Sequence, residues 1–359
     1  MKKILIGSFF ILILSFLNGE SQELRPYKLI NADTLFINKI NEEYITFLTG
    51  NVHFFYGETE FYSDKAEIFE KKKISKLIGN VEVYDDTLSL FSDQAEYFRI
   101  PDLLKLNGDV FVKEVHTDST IRTFNAEFVD YDRKNSNIHT WKNVRVYDEK
   151  EDFRGFCGES FYYLEKNYGY LIKNPYCYVS GEDSLKISAQ KIEYFKDYKK
   201  IVGSFDVDTY SQDFQVTSNF LLYFSEENKA IYLGNPILYS EFADAKAKEF
   251  QLFFDEENIT KAILNDSCKI SYKLEENGIK ENWVTSDKME IFFRDNKLNR
   301  CLAFDNIDSF YIQEKIDDKD YTENKVTGSN LVISFDLEDK VENIFLTNRV
   351  NGVYKFEKQ

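Results

Sequence analysis

The sequence predicts an elongated all-β protein, an antiparallel array built by repeating one two-stranded unit about ten times. Three observations carry this. The tripeptide Gly-Asn-Val or its near copy recurs at Gly50-Asn51-Val52, Gly79-Asn80-Val81 and Gly108-Asp109-Val110. A second signature lies midway, as Ser63-Asp64-Lys65-Ala66-Glu67 and Ser92-Asp93-Gln94-Ala95-Glu96, with a degenerate copy at Phe124-Asn125-Ala126-Glu127-Phe128. Within each unit the apolar period is two, as in Val81-Glu82-Val83 and Val110-Phe111-Val112, the mark of a strand with one buried face. A period of roughly 30 residues means that one supersecondary unit is reused, each copy burying its apolar face against the next.

The pattern decays after the third copy but keeps time. It continues at Lys142-Asn143-Val144, Asn174-Pro175, Gly203-Ser204-Phe205, Gly234-Asn235-Pro236, Asn265-Asp266-Ser267, Asp305-Asn306 and Asn348-Arg349. Charged clusters such as Glu70-Lys71-Lys72-Lys73 and Asp132-Arg133-Lys134-Asn135 separate the strands and read as solvated hairpin turns, which makes the strands antiparallel and sequential. Glycine in mid-strand marks a bulge, a bend or a close backbone approach, and proline at the same place removes a ladder donor. Both substitutions fit a bend repeated in every unit. A meander whose strands all bend along one line folds into two facing sheets. A right-handed parallel β-helix is the competing solution, but its coils usually have shorter repeats.

Residues 1–21 read as an export signal. Lys2 and Lys3 precede an apolar run from Ile4 to Leu17, with Gly19 and Ser21 small enough for cleavage after Ser21. The run is shorter than the roughly 20 residues a membrane-spanning helix needs. The mature chain, 22–359, is then one repetitive domain, clearest over 31–131. Loss of Lys2, Lys3 and Glu20 shifts the formal net charge from −17 to −18. Such an acidic chain is poorly suited to nucleic acid, whose phosphates demand lysine and arginine. In an exported protein the four cysteines, Cys157, Cys177, Cys268 and Cys301, are free to form disulfides in three connectivities. Pairing near neighbours, Cys157–Cys177 and Cys268–Cys301, costs least; buried free thiols are the other reading.

No phosphate loop, nucleophile elbow or paired metal-binding histidines occur in the sequence. His53, His116 and His139 have no ligand spacing, so no metal and no cofactor is expected. Asp85-Asp86 and Glu151-Asp152 read as turn residues, and a signature repeated by architecture is rarely catalytic. The chain is expected not to be an enzyme. Alternation assigns Val52, Phe54, Val81, Val83, Val110, Val112, Val144 and Val146 to the inner face. Ala66, Ile68, Ala95, Tyr97, Ala126 and Phe128 join them from the second strand of each unit.

The alternation of Leu-x-Gly-Asn-Val with Ser-Asp-x-Ala-Glu resembles the organic-solvent-tolerance (OstA/LptA-like) family, as do Asn31-Ala32-Asp33-Thr34-Leu35 and the terminal Asn351-Gly352-Val353-Tyr354. The resemblance implies an open β-jellyroll whose hydrophobic groove, lined by the inward residues just named, carries lipopolysaccharide or a related glycolipid through the periplasm toward the outer membrane. It implies partners of the same jellyroll type, joined head to tail through edge strands. A structural or surface polysaccharide-binding β-repeat protein without lipid cargo is the alternative.

Overall fold

A computed structural model describes residues 27–179, 185–240, 243–255, 258–273, 281–294, 297–313, 321–336 and 341–357. The expected signal, 1–21, lies outside them. The described chain is a single antiparallel meander. It opens with β1 (Tyr27–Asn31), β2 (Thr34–Ile40), β3 (Glu43–Tyr56), β4 (Thr59–Phe69), β5 (Ile74–Asp85), β6 (Leu88–Phe98) and β7 (Leu103–Val115). It continues through β8 (Ile121–Asp132), β9 (Asn137–Asp148), β10 (Phe153–Tyr163), β11 (Tyr168–Ile172), β12 (Tyr176–Val179), β13 (Leu185–Ser188) and β14 (Lys191–Phe195). β15 (Lys200–Tyr210), β16 (Phe214–Phe224), β17 (Lys229–Leu233), β18 (Ile237–Ser240), β19 (Ala243–Lys246) and β20 (Glu249–Asp255) follow. The array closes with β21 (Asn258–Lys273), β22 (Glu281–Arg294), β23 (Lys297–Gln313), β24 (Tyr321–Phe335), β25 (Val341–Thr347) and β26 (Asn351–Glu357). In six cases two successive segments are halves of one strand broken at its bend, so the 26 segments make twenty bent strands, two per unit. At about 4.8 Å per strand the array is roughly 96 Å long.

In every unit the first strand bends on the same backbone. Two consecutive residues adopt the left-handed conformation at Gly50-Asn51, Gly79-Asn80, Gly108-Asp109, Lys142-Asn143, Lys173-Asn174, Phe205-Asp206, Gly234-Asn235, Asp266-Ser267, Asp305-Asn306 and Asn348-Arg349. A left-handed pair reverses the pleat and turns the strand through a corner, and the ladder shifts register beside it, as between Ile78 and Val81. The sixth unit is displaced from the reading above: its corner is Phe205-Asp206, and Gly203 is an ordinary strand residue inside the sheet.

The second signature is the other half of the same corner. Asp64 and Lys65 both face outward, flanked by inward Ser63 and Ala66. Ser63 Oγ donates to the Lys65 carbonyl at 3.0 Å, and Ser92, Ser218 and Ser286 repeat this bond to the residue two on. Asp64 then reaches across to the corner of the next strand, where it accepts from Asn80 Nδ2 at 3.0 Å. A Cβ on Gly79 would sit 2.3 Å from Asp64 Oδ2, and Gly79 has φ +78°, so this position excludes side chains twice over.

Parity explains one correction. In β8 the two outward corner residues are Glu127 and Phe128, because Asn143 Nδ2 bonds Glu127 at 2.8 Å as Asn80 bonds Asp64. The degenerate copy is therefore Ala126-Glu127-Phe128-Val129, three residues out of phase with the alignment by alanine. Phe128 lies on the outer face, stacked on Trp141, and Val129 takes the inward place.

All four cysteines are free thiols. Cys177 lies opposite Gly155, two residues along β10 from Cys157. Diagonal neighbours are about 7–8 Å apart, beyond the span of a disulfide. Cys268 follows the corner of β21 whereas Cys301 precedes the corner of β23, which places them on facing sheets roughly 10 Å apart. Burial pushes the Cys157 thiol up to about 12, Cys268 to about 11 and Cys301 to about 12, and raises Cys177 further.

Gly79→Ala is expected to cost about 1–3 kcal/mol in urea unfolding from the left-handed backbone alone. Combining it with Asp64→Ala should recover the clash but not the backbone cost. The thiols should resist a neutral-pH disulfide reagent in the folded protein and react fully after denaturation, and a non-reducing gel should show no shift on reduction.

Candidate functional site

The candidate site is the space between the two sheets. Val52, Phe54, Ala66, Ile68, Val81, Val83, Ala95, Tyr97, Val110, Val112, Ala126, Val144 and Val146 all point into it and are buried. They belong to one continuous apolar cluster that runs from Leu48 to Phe335. Each pleat alternates with the solvated face, so a single parity, fixed at the corners, decides which half of the side chains lines the interior.

Opposite the corners the two sheets end in two rims. One carries the hairpins at 56–59, 85–88, 115–121 and 148–153; the other carries those at 69–74, 98–103, 132–137, 163–168 and 195–200. Over about the first half of the described chain the rims touch. Asp85 on one rim receives Arg133 Nε and Nη2 from the other, both at 2.9 Å, together with Tyr131 Oη at 3.1 Å. Arg133 also bonds Asp102 at 2.8 Å on its own rim. Tyr27 bridges to Ser75 and lies under the Arg99 guanidinium, 5.0 Å away. Further on, buried Arg122 is held by Asp148 and Glu114 on its own rim, and its guanidinium covers the Tyr162 ring of the opposite rim at 4.4 Å. Phe153 stacks on Tyr194 at 5.4 Å, and Lys196 Nζ lies 3.2 Å from His116 Nδ1, both across the mouth. These latches bridge the groove along this stretch.

The latch charges respond to their setting. Burial alone would push the Asp85 carboxyl up, but the Arg133 guanidinium, with Thr59 and Tyr131 donating, brings it below the usual carboxylate range. Burial lowers His116 and Lys196, so a proton at this contact is held less tightly than in water. A cavity of only about 30 Å³ remains beneath Arg122, between Phe124, Tyr162 and Tyr194.

Beyond the latches the interior opens. A cavity of about 360 Å³ lies between β16 and β23, walled by Phe214, Leu238, Phe250, Leu252, Ile270, Ile291 and Phe293. The space exists because Ala243 and Ala245 stand where β6 places Leu88 and Leu90 and β16 places Phe214 and Val216, and truncated side chains leave volume that rigid sheets do not close. Gln212, Asp213 and Lys297 sit at its mouth. Its volume lies in the range of small-ligand pockets, about 300–1,000 Å³.

The sequence reading missed the latches, taking Asp85 for a turn residue. The available signal was phase: Arg99 and Arg133 each lie two residues beyond an inward tyrosine, Tyr97 and Tyr131, on the inward parity. Among the described residues no group of histidine, cysteine and carboxylate side chains could hold a metal ion, and no helix is long and apolar enough to cross a membrane.

Residues 27–168 match the family model described as OstA-like protein. This part of the chain is an OstA-like domain. It spans the corners with the clearest signatures and the latches from Tyr27 to Arg122, whereas the large cavity lies outside it. Among solved structures the chain is similar to LptH, the LptA-homologous periplasmic component of the lipopolysaccharide transport device of Pseudomonas aeruginosa. The two are 13% identical, the match covers 29% of this chain and 75% of LptH, and the TM-score is 0.28. No curated protein matches the sequence.

Asp85→Asn should remove the charge that Arg133 crosses the mouth to reach and destabilise the protein by about 1–3 kcal/mol. Because the folded carboxyl titrates below its unfolded value of about 3.9, its contribution is full above that pH and is lost as pH falls toward the folded value. Thermal melts from pH 6 to pH 2.5 should therefore show a shallower acid limb for Asp85→Asn than for the parent.

Proposed function

We propose that the protein is a periplasmic carrier that holds the acyl chains of a glycolipid, lipopolysaccharide or a close relative, between its two sheets on the way to the outer membrane. The observation that carries this reading is the apolar cavity at residues 212–298, continuous with the buried lining of the remaining units. Acyl chains gain about 0.8 kcal/mol for each methylene removed from water. A lining repeated in every unit offers many equivalent positions rather than one deep well, as transit requires. The OstA-like domain supports the same reading, and the work is that of a binding carrier rather than a catalyst.

The ends of the array suit assembly. β2 exposes Leu35, Phe36 and Ile37, and the last two described segments expose Phe345, Val353 and Tyr354, each at an end of the described array. Unpaired edges of this kind accept a strand from another chain, and a jellyroll partner continuing the groove is the fitting occupant.

Mass spectrometry of organic extracts from the purified protein should find a stoichiometric amphiphile with saturated acyl chains. A photo-crosslinking residue at Ile270, which lines the cavity, should capture it, whereas one at Lys269 on the outer face should not. Extracts free of lipid, with no capture at Ile270 or at Val83, would show a closed core and end the carrier reading.

A further inference from the structure

The outer face of the OstA-like domain carries a second concavity that the interior carrier role does not use. It holds about 210 Å³ and spans β6 to β9, with Gln94, Asn107, Phe128 and Trp141 on one cross-strand rung and Glu96, Lys105 and Asp130 on the next. We infer that this is a binding site for a neutral sugar ring. The site is built by the corner of β8, whose parity reversal turns Phe128 outward instead of into the core.

The chemistry of the walls selects the ligand. Phe128 stacks on Trp141, ring centroids 5.4 Å apart and nearly parallel, so it is held upright as a rigid aromatic wall. Asn107, its direct cross-strand neighbour, is short and leaves a depression beside that wall, while Lys142 Nζ, paired with Glu127 at 3.4 Å, lies 4.8 Å from the Phe128 ring centroid. A pyranose presents one face of C–H groups, which pack on an aromatic ring, and an equatorial girdle of hydroxyls, which both donate and accept. The Gln94 and Asn107 amides, both solvent-facing, supply donors and acceptors at the rim of the wall. Each carboxylate is already paired, Glu96 with Lys76 at 2.6 Å and Asp130 with Lys105 at 3.4 Å. The site thus has polar groups in number but no net charge to hold a phosphate or a cation. Its volume falls below the range of drug-sized pockets and matches a single sugar ring with one neighbour protruding.

The test uses Trp141, one of the chain's two tryptophans, as reporter after Trp283→Phe removes the other. Titration with methyl α-glucoside, methyl α-galactoside, N-acetylglucosamine and a linear glucan oligosaccharide should give a saturable change in Trp141 emission with at least one of them. Asn107→Leu, which fills the depression on the solvent side, should weaken that binding at least tenfold with an unchanged circular dichroism spectrum. Phe128→Ala should do the same. Octyl glucoside below its micellar concentration separates the sources: a response lost in Asn107→Leu supports a sugar headgroup at this site. A response to octyl glucoside that survives in Asn107→Leu, with none to the methyl glycosides, overturns the proposal, since it reports the interior. So do equal affinity in Asn107→Leu, a change produced by inorganic phosphate or a short-peptide mixture but by no sugar, or no saturable response at all. These results leave lipid capture at Ile270 untouched, so the two readings fail separately.

Discussion

Everything in this molecule depends on a corner that costs energy. Two successive non-helical residues in the left-handed region are unfavourable for any side chain, and the array repeats that cost at every unit. It is tolerable because the corner is locked from both sides. The carboxylate or amide of one strand fills the space above the glycine of the next, and a serine hydroxyl ties down the backbone on the inner side. Since each corner reverses the pleat, it also sets which residues face the interior in the following half-strand. Fold, lining and outer surface are thus decided together, at two adjacent residues per strand.

The interior and the rims answer different physical demands. Between the sheets, apolar groups gain by leaving water, and the gain grows with each unit added. At the mouth the two sheets would part without a reason to stay together, and there the chain places arginines that reach across to carboxylates and tyrosines. Charges this poorly hydrated are stable only when paired, which makes each latch firm while intact and weak once a partner is lost. Where the latches lie the interior is nearly filled; where small residues replace large ones, between β16 and β23, it holds a cavity. One architecture therefore gives a braced half and a receptive half.

What the sequence alone determined is the repeat and its consequences. The glycine-asparagine and serine-aspartate signatures, with a period of two between them, are local facts of backbone conformation and alternation. They gave the all-β class, the bent meander, the place of nine of the ten corners and nearly all of the inward residues. Phe128 escaped because alternation was carried through a corner aligned on Ala126, and a slip of this kind moves a side chain to the opposite face. Only the tertiary structure decided what meets across the mouth. Asp85 and Arg133 are 48 residues apart, and no local rule relates them; they touch because the hairpins of two different units end at facing rims. The same holds for the free thiols. Cys157 and Cys177 are near neighbours in sequence and lie on paired strands, yet the register sets them one diagonal apart, too far to bond. Period and parity are written in the chain. Reach across the groove depends on how far each sheet twists before its rim arrives, and that is a property of the assembled array.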